Sequence, residues 1–304
     1  MKCSVANESW KFSNWTSGDM AMLREILDPN FLLRNSVHIS LLVGFAAPLV
    51  GMYLFLRRLV FMGVALPQIS SCGIAFAFAL QGWGLLRHAH ETAGERALAL
   101  LGSTVFTLAA IAVFAALERR GRGSPEARIG AFYVLAGAMS ILLLVKNPFG
   151  EHGMLDMLKG EIIAVSNGEL MFTAAIFLIV TVPIIAFRKH FLMVSFDREM
   201  ALTLKKRVLF WDALLFTLIG MTISTSVLSV GPLVTFGFLL LPPLIAHQFA
   251  ATMRQFALIS SAMGGLTAFT GFALAYRWDL PVGATDVALL GAVLAVSFVL
   301  KKLL

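Results

Sequence analysis

Repeated runs of about 20 mostly apolar residues divide the chain, and each run is long enough to cross a bilayer as a helix. Lipid offers no partner to backbone amide and carbonyl groups, so such runs fold as helices that satisfy those groups internally. Nine candidate spans follow one another: residues 36–56, 59–80, 97–117, 129–145, 170–187, 208–228, 232–251, 256–275 and 280–300. The sequence predicts an all-α integral membrane protein, a polytopic bundle of about nine transmembrane helices.

Composition agrees with this prediction. Hydrophobic residues make up 59% of the 304 residues and charged residues only 13%, which is not the balance of a soluble domain. The net charge of +7 is the Lys and Arg excess expected of cytoplasmic loops, and it does not indicate nucleic-acid binding. The two cysteines, Cys3 and Cys72, lie far apart and imply no disulfide framework.

No charge run or low-complexity linker separates the spans, so residues 22–304 are interpreted as a single transmembrane domain. Residues 1–21 form a polar N-terminal extension without the apolar core of a secretory signal, and a start at Met20 or Met22 stays open. If the N-terminus is outside and the C-terminus inside, 15 of the 24 Lys and Arg residues fall in cytoplasmic segments. This bias predicts nine spans with that orientation.

The second span, 59–80, carries small and polar residues where lipid-facing side chains would be apolar. Gly63, Pro67 and Gly73 are candidates for helix packing or a hinge, because small residues let helices approach closely and proline frees part of the backbone. Gln68 and Cys72 share one face, and Ser71 lies beside them. Two interpretations stay open for this face: plain helix packing, or the wall of a substrate path.

The seventh span is irregular as well. Gly231 and Pro232 start it, and the Pro242-Pro243 pair is expected to kink it near its middle. His247 follows one turn later near the predicted cytoplasmic end, where it is either part of a substrate path or a satisfied side chain.

Three further signals lie near span ends. Asp212 and Asp286 are interpreted as interfacial residues. Ser166 and Glu169 are spaced as a capping box before the fifth span.

The loop 195–207, SFDREMALTLKKR, has the pattern of a short amphipathic helix between the fifth and sixth spans. Its start carries acidic residues and its end basic ones, as the helix dipole favours. The candidate residues on this helix are Asp197, Arg198, Glu199, Met200, Ala201 and Leu204. It is either an interfacial anchor on lipid headgroups or a docking helix for a cytoplasmic partner.

Four blocks together resemble the metal-type ABC importer permeases, which take up zinc, manganese or iron in bacteria. They are APLVGMYLFLRRLVFMGVALPQISSCGIAFAF, LKGEIIAVSNGEL, FDREMALTLKKRVLFWDALL and VGPLVTFGFLLLPPLIAHQFA, in the family's order. The resemblance covers about residues 22–300.

The resemblance implies a bacterial cytoplasmic-membrane permease that forms a homodimer, docks on a cytoplasmic ABC ATPase and receives cargo from an external solute-binding protein. It assigns residues 196–207 to coupling with the ATPase. The chain has no phosphate-binding G-x-x-x-x-G-K-[ST] loop, so ATP is expected on the partner subunit, with no cofactor on this chain and no enzyme activity of its own.

One departure from the family concerns the cargo. Typical zinc and manganese members carry an aspartate and a histidine at the positions of Val64 and Gln68. Valine offers no ligand and an amide oxygen is a weak ligand for transition metals, so no metal-binding residue is carried over. The resemblance predicts import of a divalent metal or its complex. A secondary transporter and an ABC permease for a non-metal solute stay as alternatives.

Overall fold

The structure is a computed structural model that describes residue 31 and residues 33–83, 92–119, 124–145, 165–196 and 207–303. The elements in this part of the chain are nine α-helices. They are α1 (Arg34–Leu56), α2 (Val60–Gly82), α3 (Thr92–Arg119), α4 (Pro125–Val145), α5 (Asn167–Ala186), α6 (Arg188–Phe196), α7 (Val208–Phe249), α8 (Met253–Trp278) and α9 (Val282–Leu303).

Eight of these helices in the described ranges, all except the short α6, are long and apolar enough to cross a membrane. Each of the nine spans expected from the sequence matches one of the eight helices to within two residues at the ends that overrun it, and the sixth and seventh spans share α7. The all-α polytopic fold predicted from the apolar runs is confirmed.

Helix α7 is a hairpin of two arms that meet at Gly231, whose φ of 80° and ψ of 167° interrupt the helical backbone. Asp212 in the first arm lies 2.8 Å from Arg57 at the end of α1. His247 in the second arm packs beside Phe55 on the same end of α1, with ring centroids 5.0 Å apart. A straight helix of 42 residues would separate these positions by about 50 Å, so the two arms cross in opposite directions. The described helices therefore make nine crossings.

Two opposite faces of the bundle follow from these contacts, named here the Asn35 face and the Arg57 face. Asn35, at the start of α1, donates hydrogen bonds of 2.8 Å to the Val165 carbonyl and to Asn167, just before and at the start of α5. At the other end of the bundle, Gln248 donates to Ser297 near the end of α9 at 3.0 Å. Helix α1 thus begins at the Asn35 face, and α9 ends at the Arg57 face.

Neighbouring helices approach each other most closely at glycines. A Cβ atom on Gly73 of α2 would lie 2.5 Å from the carbonyl oxygen of Gly102 of α3, and the reverse holds for Gly102. Gly44 of α1 and Gly264 of α8 approach each other in the same manner. Helix α4 differs, because much of its surface is exposed. The bundle therefore has a tightly packed centre around α1, α2 and α7, with α4 at its edge.

Local signals in the sequence explain where some helices begin. The predicted capping box is present: the Glu169 amide donates to the Ser166 hydroxyl at 3.3 Å, and the Ser166 amide donates to the Glu169 carboxylate at 3.0 Å. The one position inside α7 with non-helical φ and ψ is Gly231, so the helix continues through Pro242 and Pro243, and the bend expected there stays a prediction. Proline φ fits a helix, and in a packed bundle neighbouring groups tolerate the missing amide donors.

Candidate functional site

A partly exposed stripe on α2 carries the first group of predicted residues. Phe61 is 55% exposed, and Val64 and Gln68 are half-buried at three- and four-residue spacing behind it. The neighbouring positions are buried. The stripe is therefore one part of α2 that the described part of the chain leaves accessible.

Gln68 and Cys72 lie against α4. A Cβ atom on Gly137 would be 3.3 Å from Nε2 of Gln68, so the amide packs directly over this glycine. Cys72 is buried in a small apolar cluster that includes Leu143 and Leu144. One end of the predicted face is thus accessible at Gln68, and the other end is closed by α4.

The remaining small residues of α2 serve packing. The Ser70 hydroxyl contacts that of Ser103 in α3, and the Ser224 hydroxyl in α7 donates to Thr107 of α3 at 3.3 Å. Such hydroxyl contacts hold helices together where water is absent. Ser71 is also buried, and its hydroxyl has no hydrogen-bond partner among the described groups.

The two other candidates of α2 are placed differently. Pro67 is buried within the continuous α2. Gly63 makes only an ordinary contact, because a Cβ there would lie 3.7 Å from Leu54.

The second group of predicted residues lies in the returning arm of α7. Pro242 and Pro243 are buried, whereas His247 is exposed at the Arg57 face. The His247 ring lies 5.0 Å from the Phe55 ring and 6.0 Å from the Phe256 ring. The contacts of this group are with α1 and α8, whereas Gln68 and Cys72 contact α4.

A charged junction that the sequence did not point out holds three helices at the Arg57 face. The Arg57 guanidinium pairs with Asp212 at the start of α7 at 2.8 Å, and its Nε donates to Ser195 at the end of α6 at 3.0 Å. It also lies 5.2 Å above the centre of the Phe216 ring. Opposite charges at the ends of neighbouring spans were the available signal, because intramembrane charges are expensive unless they are paired.

The six candidate coupling residues, 197–201 and 204, lie outside the described residues, so their predicted helix stays a prediction. Ser195 and Phe196 end α6 immediately before that segment. Within the described part of the chain, no three His, Cys, Asp or Glu side chains are grouped so that they could hold a metal ion.

Asp286 is the clearest disagreement with the sequence interpretation. Its side chain is buried in the bundle, at 1% exposure, rather than lying at the interface. A carboxyl group near a span end is expected at the interface from its position alone. Only the packing of α9 on α8 shows which way it points.

Comparison with known proteins agrees with this architecture. The ABC 3 transport family matches residues 30–301. A manganese import system permease protein, ScaB of Streptococcus gordonii, is 24% identical over 266 residues that cover 88% of this chain and 90% of ScaB. An uncharacterized membrane protein of Synechocystis is 26% identical over 275 residues, covering 89% and 91% of the two chains.

Among solved structures, a chain of PsaBC from Streptococcus pneumoniae in complex with Fab superposes with a TM-score of 0.78. It is 22% identical, and the match covers 92% of this chain and 95% of that chain. The fold and the matches define a multi-pass permease of the bacterial inner membrane. The chain belongs to the ABC 3 transport family, and it is a metal-type ABC transporter permease.

Proposed function

We propose that this chain is the membrane-spanning subunit of an ATP-driven importer for a divalent transition metal or its complex, with zinc, manganese and iron as the candidate metals. The family match over residues 30–301 carries the proposal. Relatives named as manganese, iron or metal transport membrane proteins support it.

Two copies of the chain would enclose the path between them. The stripe of Phe61, Val64 and Gln68 supports this arrangement, because the described part of the chain leaves Phe61 exposed and Val64 and Gln68 only half-buried. Gln68, with Ser71 and Cys72 behind it, would line the middle of the path in each copy. Pro242 and His247 would lie along its cytoplasmic part.

The Arg57 face would be the cytoplasmic one, because Arg57, Arg58, Arg254, Lys301 and Lys302 all belong to it and basic residues concentrate in cytoplasmic segments. The ABC ATPase would then dock on residues 196–207, and ATP would bind to that partner. The external solute-binding protein would deliver cargo at the Asn35 face. Alternating access would open the path first to one face and then to the other.

The cargo would be bound more weakly than in permeases with an aspartate and a histidine on α2. Val64 supplies no ligand, and Gln68 supplies only an amide. This favours a metal held as a complex, and it keeps a non-metal solute as the second candidate. A secondary transporter is disfavoured by the family match.

Elemental content of metal-starved cells tests the proposal. Cells with the intact gene, without it, and with a partner ATPase that cannot hydrolyse ATP are compared by mass spectrometry. A selective fall in one metal in both defective strains is the expected result and identifies the cargo. Unchanged content of every metal would contradict the metal cargo and leave the non-metal solute.

A further inference from the structure

A carboxyl group without a partner lies inside the bundle, about one turn from the Asn35 face. Asp286 is the fifth residue of α9, its side chain is 1% exposed, and neither carboxylate oxygen has a hydrogen-bond partner of good geometry. The ion pairs of Arg57 with Asp212 and of Arg96 with Glu169 do not involve Asp286. A buried charge with no partner is strongly unfavourable, so the group stays neutral unless a ligand compensates its charge.

The neighbouring helices give this carboxyl group its position. Gly271 of α8 lies so close that any side chain there would overlap Asp286 Oδ1 and approach its Cα to 3.1 Å. The absence of a side chain at Gly271 lets the carboxyl group pass across α8 to Ser40 of α1, which lies beside it. The group is therefore enclosed where α1, α8 and α9 meet.

Two serine hydroxyls on α1 are buried as well and also lack a hydrogen-bond partner of good geometry in the described part of the chain. Ser36 is 0% exposed and Ser40 is 1% exposed, and neither hydroxyl has a hydrogen-bond partner of good geometry among the described groups. They are four residues apart and so lie on one side of α1. Ser40 lies beside Asp286, and Ser36 lies one turn before Ser40 on the same side of α1.

We propose that Asp286 and Ser40 form a buried binding site for a hard cation, held through oxygen atoms where α1, α8 and α9 meet, with Ser36 one turn away along α1. Carboxylate and hydroxyl oxygens suit ions such as Na⁺, Mg²⁺, Ca²⁺ and Mn²⁺ better than soft metals. No thiol or imidazole joins them in a metal-binding group within the described residues. The inference is independent of the cargo, because it concerns binding to the isolated permease.

Thermal unfolding of the full chain tests the site. The protein is purified in detergent at pH 8 in choline chloride, and its unfolding temperature is followed by tryptophan fluorescence while MnCl₂ or NaCl is added. At a concentration well above the dissociation constant, a bound cation should raise Tm by about 5 °C. A response to Mn²⁺ alone indicates a divalent ion, and a response to Na⁺ alone a monovalent one.

Asp286→Asn keeps the shape of the side chain and removes its charge. We expect this variant to lose the cation response and, without cations, to unfold at a higher temperature than the unmodified protein. Asp279→Asn is the matched control, because Asp279 is exposed near the same face in a left-handed conformation that asparagine also adopts. It should respond to cations as the unmodified protein does.

Ser40→Ala provides a second test that keeps the charge. Loss of one hydroxyl ligand should raise the cation concentration at the midpoint of the response about tenfold, which corresponds to the energy of one good ligand contact. The site is refuted if neither cation shifts the unmodified protein, or if Asp286→Asn responds equally. If Asp286→Asn cannot be purified, an unchanged midpoint in Ser40→Ala refutes it.

Discussion

Two acidic side chains near span ends, Asp212 and Asp286, occupy opposite faces of the bundle and have opposite surroundings. Asp212 is 15% exposed and pairs with Arg57 at 2.8 Å. Asp286 is 1% exposed, and its oxygens have no partner of good geometry. A position near a span end therefore does not define the role of a charge. The Asp212 carboxylate ties helices together, whereas the Asp286 carboxylate has oxygen atoms that could still accept a ligand.

Breaking the pair at the Arg57 face should have the largest effect on stability. Asp212→Ala leaves the Arg57 guanidinium without its carboxylate, and we expect a loss of about 3 kcal/mol in unfolding free energy. The double variant Arg57→Ala with Asp212→Ala should lose less, because no unpaired charge remains. Thermal unfolding in detergent measures both, with Arg254→Ala, an exposed arginine, as the control. A double variant less stable than Asp212→Ala would contradict the pairing argument.

Crowding the buried carboxylate of Asp286 should have the second-largest effect on stability. Gly271→Ala places a methyl group where Asp286 lies, and overpacking of this kind costs about 2 kcal/mol. Removing the Asp286 carboxylate as well, in Gly271→Ala with Asp286→Ala, should recover part of the lost unfolding free energy. Gly291→Ala in α9 is the matched control, because nothing lies within 4 Å of its added Cβ. Equal unfolding temperatures for Gly271→Ala and Gly291→Ala would show that the carboxylate is not held there.

The hairpin that brings Asp212 and His247 to one face depends on Gly231. Its φ of 80° is unfavourable for any other residue, so Gly231→Ala should cost about 1 to 2 kcal/mol. Gly130→Ala, in open space on α4, is expected to be neutral or slightly stabilising. The measurement is again the unfolding temperature, and a stable Gly231→Ala protein would indicate that the turn can form with another backbone conformation.

Gln68→Ala should have the smallest effect on stability and a clear effect on function. The side chain is half-buried against Gly137, so its loss removes little packing. Uptake of the cargo should fall while the amount of protein in the membrane stays constant. Gln81→Ala, near the other end of α2 and also half-buried, is the control for uptake. Normal uptake in Gln68→Ala would assign the stripe on α2 to packing alone.

The sequence predicted the spans well because apolar length alone determines whether a helix can cross a bilayer. The Ser166 cap was predictable too, since its partner is three residues away. Contacts between distant residues were not predictable in this manner. The pairing of Arg57 with Asp212 and the burial of Asp286 both depend on how α7 and α9 pack, which no local pattern reveals.

The candidate path was predicted only in part. Periodicity placed Gln68 and Cys72 on one face of a helix, but it could not show that α4 covers Cys72 and leaves Gln68 accessible. The two prolines of α7 suggested a kink, whereas the single glycine at 231 makes the turn. A residue type signals what the backbone can tolerate, and tertiary packing decides where the chain bends.

The glycine contacts also restrict how the bundle can move. Backbones that touch at Gly44 and Gly264, and at Gly73 and Gly102, leave no side chain between them that could change rotamer. We therefore expect α1 and α8 to move together as one rigid unit, and α2 and α3 as another. These two units are joined by the short connection between α1 and α2, in which Arg58 has a left-handed conformation with φ of 57°. We expect this connection to be the point about which the two units rotate relative to each other.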